Sequence, residues 1–111
     1  MTTSISTAHG APLGGIDLVD GEDGPVLRLR GEIDTAAVAA WDAAGTSLDR
    51  APVAVDVSGT TFLDCRGLRL LVRATEATRR TGRLPELRRP SRSVRRLVDL
   101  TGAAPLFATV A

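Results

Sequence analysis

The sequence predicts a single α/β domain built on a mixed, mostly parallel β-sheet with α-helices packed against it. Short alternating segments and amphipathic segments succeed each other in the order ββαβαβαβ. The strand-to-helix connections are brief, which is typical of parallel strands joined by helical crossovers. A chain of 111 residues with 43% hydrophobic residues can build one core. We therefore expect one domain over residues 13–111, preceded by a disordered polar tail over residues 1–12.

Two strands and an alanine-rich helix are predicted in the first half of the domain. Ile16–Val19 and Val26–Arg30 flank the turn-forming sequence DGEDGP, which indicates an antiparallel hairpin. Gly31 is expected to end the second strand, and Asp34 or Thr35 to N-cap the helix. The apolar stripe of that helix comprises Val38, Trp41 and Leu48.

The segment Asp56–Val72 is the part of the chain around which we expect function to be organised. An apolar strand leads through a polar turn to Asp64, a candidate N-cap, and an amphipathic helix follows directly and is expected to end at Gly82. The first backbone N–H groups of such a helix have no partner within it, and here they lie beside Cys65 and Arg66. We call this strand-to-helix segment the junction and expect it to be the functional surface.

The last third of the chain is predicted to hold a short strand, a third helix and a final strand. Pro85 cannot donate a ladder hydrogen bond, so the strand Leu84–Leu87 should be short, bulged or at an edge. Ser91 or Ser93 can cap the third helix, and Leu106–Val110 is predicted to be the last strand.

Charge is divided unevenly along the chain, although the net charge is only +1. Residues 1–65 hold three Arg and ten Asp or Glu, whereas residues 66–96 hold eleven Arg and two Glu. Every basic residue is Arg, which we attribute to a high-GC genome more than to a selected preference for binding anions. A basic half invites a nucleic-acid partner, but Tyr is absent and no DNA- or RNA-binding motif occurs. We therefore rank nucleic acid below an acidic protein partner.

Several classes of function are disfavoured by the residue types present. One cysteine cannot form an internal disulfide, and the single histidine, His9, lies in the predicted tail, so a His/Cys metal site is not expected. The glycines do not form a phosphate-binding fingerprint, so no nucleotide cofactor is expected. The sequence contains neither an apolar run long enough to span a bilayer nor a leader pattern, which predicts a cytoplasmic protein without membrane contact.

Four motifs in a fixed order give the chain a family resemblance. They are Leu29–Asp34 after the second strand, Val55–Val57 in the third, Thr61–Leu68 at the junction, and Ser91–Leu97 followed by Leu100–Gly102. Together, over roughly Ile16–Phe107, they resemble the STAS domain, the anti-sigma factor antagonist family of bacterial regulators. The resemblance implies partner binding and no enzymatic activity.

The resemblance also implies a partner and a switch. Family members dock onto an anti-sigma factor, typically a serine kinase with a GHKL-type ATPase fold, and so regulate sigma-factor-dependent transcription. That kinase phosphorylates a Ser or Thr directly after the Asp at the start of the junction helix, and docking is lost. Here the equivalent position is Cys65, followed by Arg66, so we expect no phosphorylation at the usual site. Ser58 lies too far upstream to substitute, and the resemblance gives no reason to assign Thr60 or Thr61.

By the same resemblance, the partner-binding surface comprises the junction and the loop after the second strand. Its predicted members are Asp34, Thr35, Thr61, Asp64, Cys65, Arg66, Gly67, Leu68 and Arg69. Asp34 and Asp64 also have a structural role available as N-caps. Relatives commonly continue into another helix after the position of Ala111, so part of the sheet would be uncovered, and a homodimer through that face is compatible with the sequence.

Two alternatives from other classes of function remain open. A thiol at a helix N-terminus beside Arg66 favours a reactive thiolate, which would suit a redox-sensing or ligand-sensing module. Against the redox version, the sequence has no second cysteine to resolve an oxidised thiol and no usable base for Cys65. The other alternative is a scaffold subunit of a larger signalling assembly.

Overall fold

The computed structural model describes residues 14–44 and 51–111, which form one five-stranded sheet with helices packed on it. The strands are β1 (Gly14–Gly21), β2 (Gly24–Ile33), β3 (Ala54–Leu63), β4 (Glu86–Arg88) and β5 (Ala108–Val110). The helices are α1 (Thr35–Ala43), α2 (Cys65–Ala74), α3 (Glu76–Arg80) and α4 (Arg92–Leu100), and a short 3-10 turn spans Ala104–Leu106. The predicted tail and the stripe residue Leu48 lie outside the described residues.

The strands lie in the order β1-β2-β3-β4-β5 across the sheet, so each strand pairs with its neighbour in sequence. β1 and β2 are antiparallel, as the hairpin pattern predicts, and the other three pairings are parallel. α1 joins β2 to β3, α2 and α3 join β3 to β4, and α4 joins β4 to β5. The mixed, mostly parallel α/β architecture is therefore confirmed, together with the predicted order of elements.

The junction helix differs from the prediction in one respect, because Thr75 divides it into α2 and α3. Thr75 is fully buried, and its hydroxyl donates to the carbonyl of Leu71 (2.7 Å). A hydroxyl that bonds back to a helix carbonyl competes with the regular backbone pattern and often bends the helix. Gly82 follows the second piece with a φ of 88°, as expected for the residue that stops a helix.

β2 and β3 both run further than predicted and end level with each other at Ile33 and Leu63. Gly31 does not end β2; it takes a φ of 72° within the strand, which glycine adopts without a steric penalty. The prediction of a polar turn after Asp56 is also wrong. The residues expected in that turn continue β3, and their pairing with β2 is irregular at two register shifts. Near the first shift, the Ser58 N–H donates to the Asp56 carboxylate (2.9 Å).

The hydrophobic core lies between one face of the sheet and the helices. Alternate residues of β2, β3 and β4 supply the sheet side, and α1, α2 and α4 supply the other side. The sheet residues are Leu27, Leu29, Val55, Val57 and Leu87, and the helix residues include Ala37, Leu68, Leu71, Val94 and Val98. Trp41, from the predicted stripe of α1, packs against the same cluster. In the junction helix, Leu68 and Leu71 are buried in the core while Arg69 and Arg73 are exposed, which confirms its predicted amphipathic pattern.

The opposite face of the sheet carries charged side chains that pair with one another. Arg30 and Arg28 reach Asp17 across the hairpin, with nitrogen-to-oxygen distances of 2.8 and 3.5 Å. On β4, Arg88 pairs with Glu86 at 2.7 Å. Burying such pairs in an interface costs desolvation energy. The charged pairs are typical of a sheet face in contact with solvent. A homodimer through an uncovered sheet face stays a prediction.

Asp56 projects from the charged face. Burial would raise the pKa of its carboxyl, but hydrogen bonds from Ser58 and the positive charges of Arg89 and Arg88 outweigh burial and hold the pKa below its ordinary value. The Arg89 guanidinium lies 4.0 Å from the carboxylate. Asp56 is therefore ionised at neutral pH, and it satisfies a backbone N–H in the irregular part of β3.

The last elements follow the predictions with three refinements. The last strand begins at Ala108 and not at Leu106, because Leu106 belongs to the 3-10 turn that precedes it. β4 has three residues and begins directly after Pro85, which agrees with the expected short strand, but it lies between β3 and β5 and not at an edge. Ser91 is the residue that caps α4, accepting a hydrogen bond from the Val94 N–H (3.2 Å). None of the described helices has the length and apolar character needed to cross a bilayer.

Candidate functional site

The junction is an abrupt change from strand to helix at Asp64. β3 ends at Leu63 and α2 begins at Cys65, so one residue makes the turn. The Asp64 carboxylate accepts a hydrogen bond from the Gly67 N–H (2.8 Å), and its carbonyl accepts from the Leu68 N–H (3.0 Å). The predicted N-cap is confirmed, and it fixes the position of the first turn of α2.

Close packing brings the start of α1 next to the junction. The Asp64 N–H donates to the carbonyl of Ile33 (3.3 Å), which is the residue before Asp34. Asp34 in turn caps α1 by accepting from the Ala37 N–H (3.1 Å). The structure therefore places two capped helix N-termini side by side, next to the carboxyl ends of the parallel strands β2 and β3.

The predicted partner-binding residues divide into an exposed group and a buried group. Those exposed are Thr35, Thr61, Cys65, Arg66 and Arg69, and those partly buried are Asp34 and Asp64. Gly67 and Leu68 are buried. A Cβ atom on Gly67 would lie 2.6 Å from Leu63 Cδ1 and 2.8 Å from the carbonyl oxygen of Ile33. Gly67 and Leu68 therefore pack α2 against the sheet, whereas the exposed group remains accessible at the surface.

Phe62 is a feature of the junction that the sequence prediction missed. Its side chain is 49% exposed, whereas that of the next residue, Leu63, is buried. β3 continues through this position, so consecutive side chains point to opposite faces. A register shift against β2 lies directly before Phe62 and interrupts the alternation of β3, so the local sequence pattern gives no clear signal that Phe62 is exposed.

An apolar groove of about 350 Å³ runs along α2 from the junction. One wall is α2 itself, and the other is the segment that follows α4. Its lining residues include Cys65, Leu68, Arg69 and Val72 on α2, and Ala103 and Leu106 on the opposite side. Cys65 therefore belongs both to the first turn of α2 and to the wall of the groove.

Arg79 connects the two walls of the groove. Its guanidinium donates to the carbonyls of Val72 and Leu106, the latter at 3.3 Å, and to the hydroxyl of Thr75 at 2.7 Å. The same group lies 5.7 Å from the centroid of the Phe107 ring, which is a cation–π distance. Leu106 lies 27 residues from Arg79 in the chain, so no local pattern identifies this contact.

A second concave surface, of about 230 Å³, lies between α1 and α2. Its lining residues are Val38, Asp42, Arg66, Arg69 and Arg73. The outer surface of α2 is therefore bordered by an apolar groove and by a basic concavity, and Arg69 lines both.

The fold and the junction define a class of small α/β domain that presents two neighbouring helix N-termini at one edge of a mixed sheet. A family model described as "Mlab, STAS domain" matches residues 17–107 of the chain. The chain belongs to the STAS-domain family. No curated protein matches it.

The solved structures that are similar to the chain include two anti-sigma factor antagonists. An anti-sigma factor antagonist from Mycobacterium paratuberculosis is 27% identical with a TM-score of 0.68, and the match covers 86% of this chain and 84% of that one. The anti-sigma factor antagonist SpoIIAA in its unphosphorylated form is 23% identical with a TM-score of 0.58, covering 86% and 88%. The likeness to SpoIIAA is one of fold. The STAS-domain resemblance inferred from the four sequence motifs is thereby confirmed.

Proposed function

We propose that the chain is an anti-sigma factor antagonist, which binds an anti-sigma factor and so regulates sigma-factor-dependent transcription. Membership of the STAS-domain family supports this, as does the 27% identity to the Mycobacterium paratuberculosis antagonist over 86% of the chain. The observation that carries the proposal is the exposed, capped first turn of α2 beside the start of α1.

The docking surface consists of exposed residues around that turn. Its members are Thr35, Thr61, Phe62, Cys65, Arg66 and Arg69. Arginine and large aromatic side chains are enriched among the residues that dominate binding energy at interfaces, which singles out Arg66 and Arg69 and makes Phe62 the apolar anchor. Asp34 and Asp64 contribute by holding the two helix starts in place.

The partner in this proposal is a serine kinase of the GHKL type, and phosphorylation at the junction does not control docking. By the family resemblance, Cys65 stands where other members carry the phosphorylated hydroxyl, and a thiol is not a substrate for a serine kinase. A phosphoryl group would add about −1.5 to −2 charges at a helix N-terminus, where it is stabilised but would obstruct a closely fitting partner. Without that group, the surface stays available for docking.

Replacing Phe62 by alanine is expected to weaken binding of the anti-sigma factor by about 30-fold, as for a central aromatic anchor. Calorimetry with the purified anti-sigma factors of the source genome measures the affinity. The matched control is Leu84→Ala, because Leu84 is 44% exposed and precedes β4 at the opposite end of the parallel strands. The control should change the affinity by less than about 2-fold. Failure of every anti-sigma factor to bind the wild type would refute the proposed function.

Cys65→Ser is expected to restore a phosphorylation site at the start of α2. The partner kinase should then phosphorylate the variant and leave the wild type unmodified, because serine supplies a hydroxyl at the position where cysteine has a thiol. Mass spectrometry after incubation with kinase and ATP locates the phosphoryl group. Phosphorylation of the wild type at Thr60 or Thr61 would contradict the absence of phosphate control.

A further inference from the structure

Three arginines form a cluster on one face of α2. They are Arg66, Arg69 and Arg73, and we call them the α2 arginines. Their spacing of three and four residues places them on successive turns of the same face. All three are exposed, and none forms an ion pair with any other residue that the structure describes.

Several other arginines have partners that account for their charge. Arg28 and Arg30 share the carboxylate of Asp17. Arg79 donates to backbone carbonyls and a hydroxyl. The α2 arginines instead border a concavity in which Asp42 is the acidic lining residue, and Asp42 forms no ion pair with them. The cluster therefore keeps uncompensated positive charge that an anionic ligand can satisfy.

The surroundings of the cluster restrict the kind of anion. Arg69 also lines the apolar groove, with Val72 and Leu106. A ligand over the cluster therefore meets positive charge on one side and apolar surface on the other. Guanidinium groups form paired hydrogen bonds with carboxylates, and an apolar groove accepts the aliphatic face of a helical peptide. A nucleic-acid backbone would match the charge but would leave the groove unfilled.

We propose that the α2 arginines recognise an acidic, amphipathic segment of the partner protein, with its carboxylates on the arginines and its aliphatic side chains in the groove. The inference rests on the proposed function for the identity of the partner, and it adds the chemistry of the segment that docks. Arg66 and Arg69 belong to the docking surface as well, so the cluster extends that surface along α2 to Arg73.

The first test is an NMR titration of the nitrogen-15-labelled protein with a helical peptide made of Leu and Glu in amphipathic spacing. The Nε–Hε signals of the α2 arginines are expected to shift, and the shifts should vanish with a matched peptide that carries Gln in place of Glu. Equal shifts with the Gln peptide would exclude carboxylate recognition. Tighter binding of duplex DNA than of the Glu peptide would overturn the proposal in favour of a nucleic-acid ligand.

Two triple variants that remove the same number of positive charges, one on α2 and one on α4, distinguish the effect of where the arginines lie from the effect of net charge. The two variants are Arg66→Gln/Arg69→Gln/Arg73→Gln on α2 and Arg92→Gln/Arg95→Gln/Arg96→Gln on α4, all at exposed positions. The α2 variant is expected to bind the Glu peptide about 10-fold more weakly at low salt, and the α4 variant less than about 3-fold. Equal losses in the two variants would mean that only net charge matters and would overturn the site.

The same variants distinguish failure of the site from failure of the proposed function. If the Glu peptide binds the α2 arginines while no anti-sigma factor binds the protein, the proposed function is wrong and the acidic-segment site is supported. If an anti-sigma factor binds and the α2 triple variant keeps full affinity for it, the site is wrong and the proposed function is supported.

Discussion

Replacing Leu71 by alanine is expected to lower the free energy of unfolding by about 2–5 kcal/mol. Leu71 is fully buried in the core between α2 and the sheet, so truncation loses apolar contacts and leaves a cavity. Domains of this size have about 5–15 kcal/mol of stability in total, so the loss is a large fraction. Urea denaturation followed by circular dichroism measures it.

The matched control for Leu71 is Leu100→Ala on α4. Leu100 is 76% exposed, so removing its side chain should change the free energy of unfolding by no more than about 0.5 kcal/mol. A similar loss from both variants would mean that Leu71 does not hold α2 against the sheet as the structure indicates.

Gly67→Ala is expected to destabilise the protein by about 1–3 kcal/mol, even though alanine is intrinsically the better helix former by about 1 kcal/mol. The added Cβ would lie 2.8 Å from the carbonyl oxygen of Ile33, and a backbone oxygen cannot move aside as a flexible side chain can. α2 must therefore shift away from the end of β2. Because the two capped helix starts meet there, we also expect weaker docking. Thermal unfolding and partner calorimetry report the two effects.

Gly59→Ala is the control, because it adds the same methyl group at a glycine of β3, the strand that leads to the junction. Its Cβ would lie 3.4 Å from Arg30 Cγ, which is ordinary van der Waals contact with a side chain that can adjust. This variant should be close to neutral. If Gly67→Ala were as mild, the close approach of α2 to β2 would not be needed for stability.

Local spacing was sufficient to predict the parts of the site that depend on neighbouring residues. The Asp64 cap follows from an Asp placed just before an amphipathic helix, and its geometry depends on residues three positions away. The burial of Leu68 and Leu71 follows from helical periodicity. These features involve a single turn of chain, so tertiary packing has little opportunity to override them.

The features that could not be predicted depend on contacts distant in sequence. The exposure of Phe62 requires β3 to continue past Ser58, and that continuation depends on register shifts against β2. Ser58 and Gly59 are residue types that are typical of turns, so the local signal favoured a turn. The apolar groove depends on the packing of α2 against the segment after α4, which no spacing in either element encodes.

Arg79 has a consequence for the kind of partner that the groove can accept. One guanidinium holds the carbonyls of Val72 and Leu106 on opposite walls, so a ligand that widened the groove would have to break a charged hydrogen bond, at about 1.5–3 kcal/mol each. The groove therefore resists opening. We expect the aliphatic side chains of a partner segment to enter the existing groove of about 350 Å³ as a rigid fit, without moving its two walls apart.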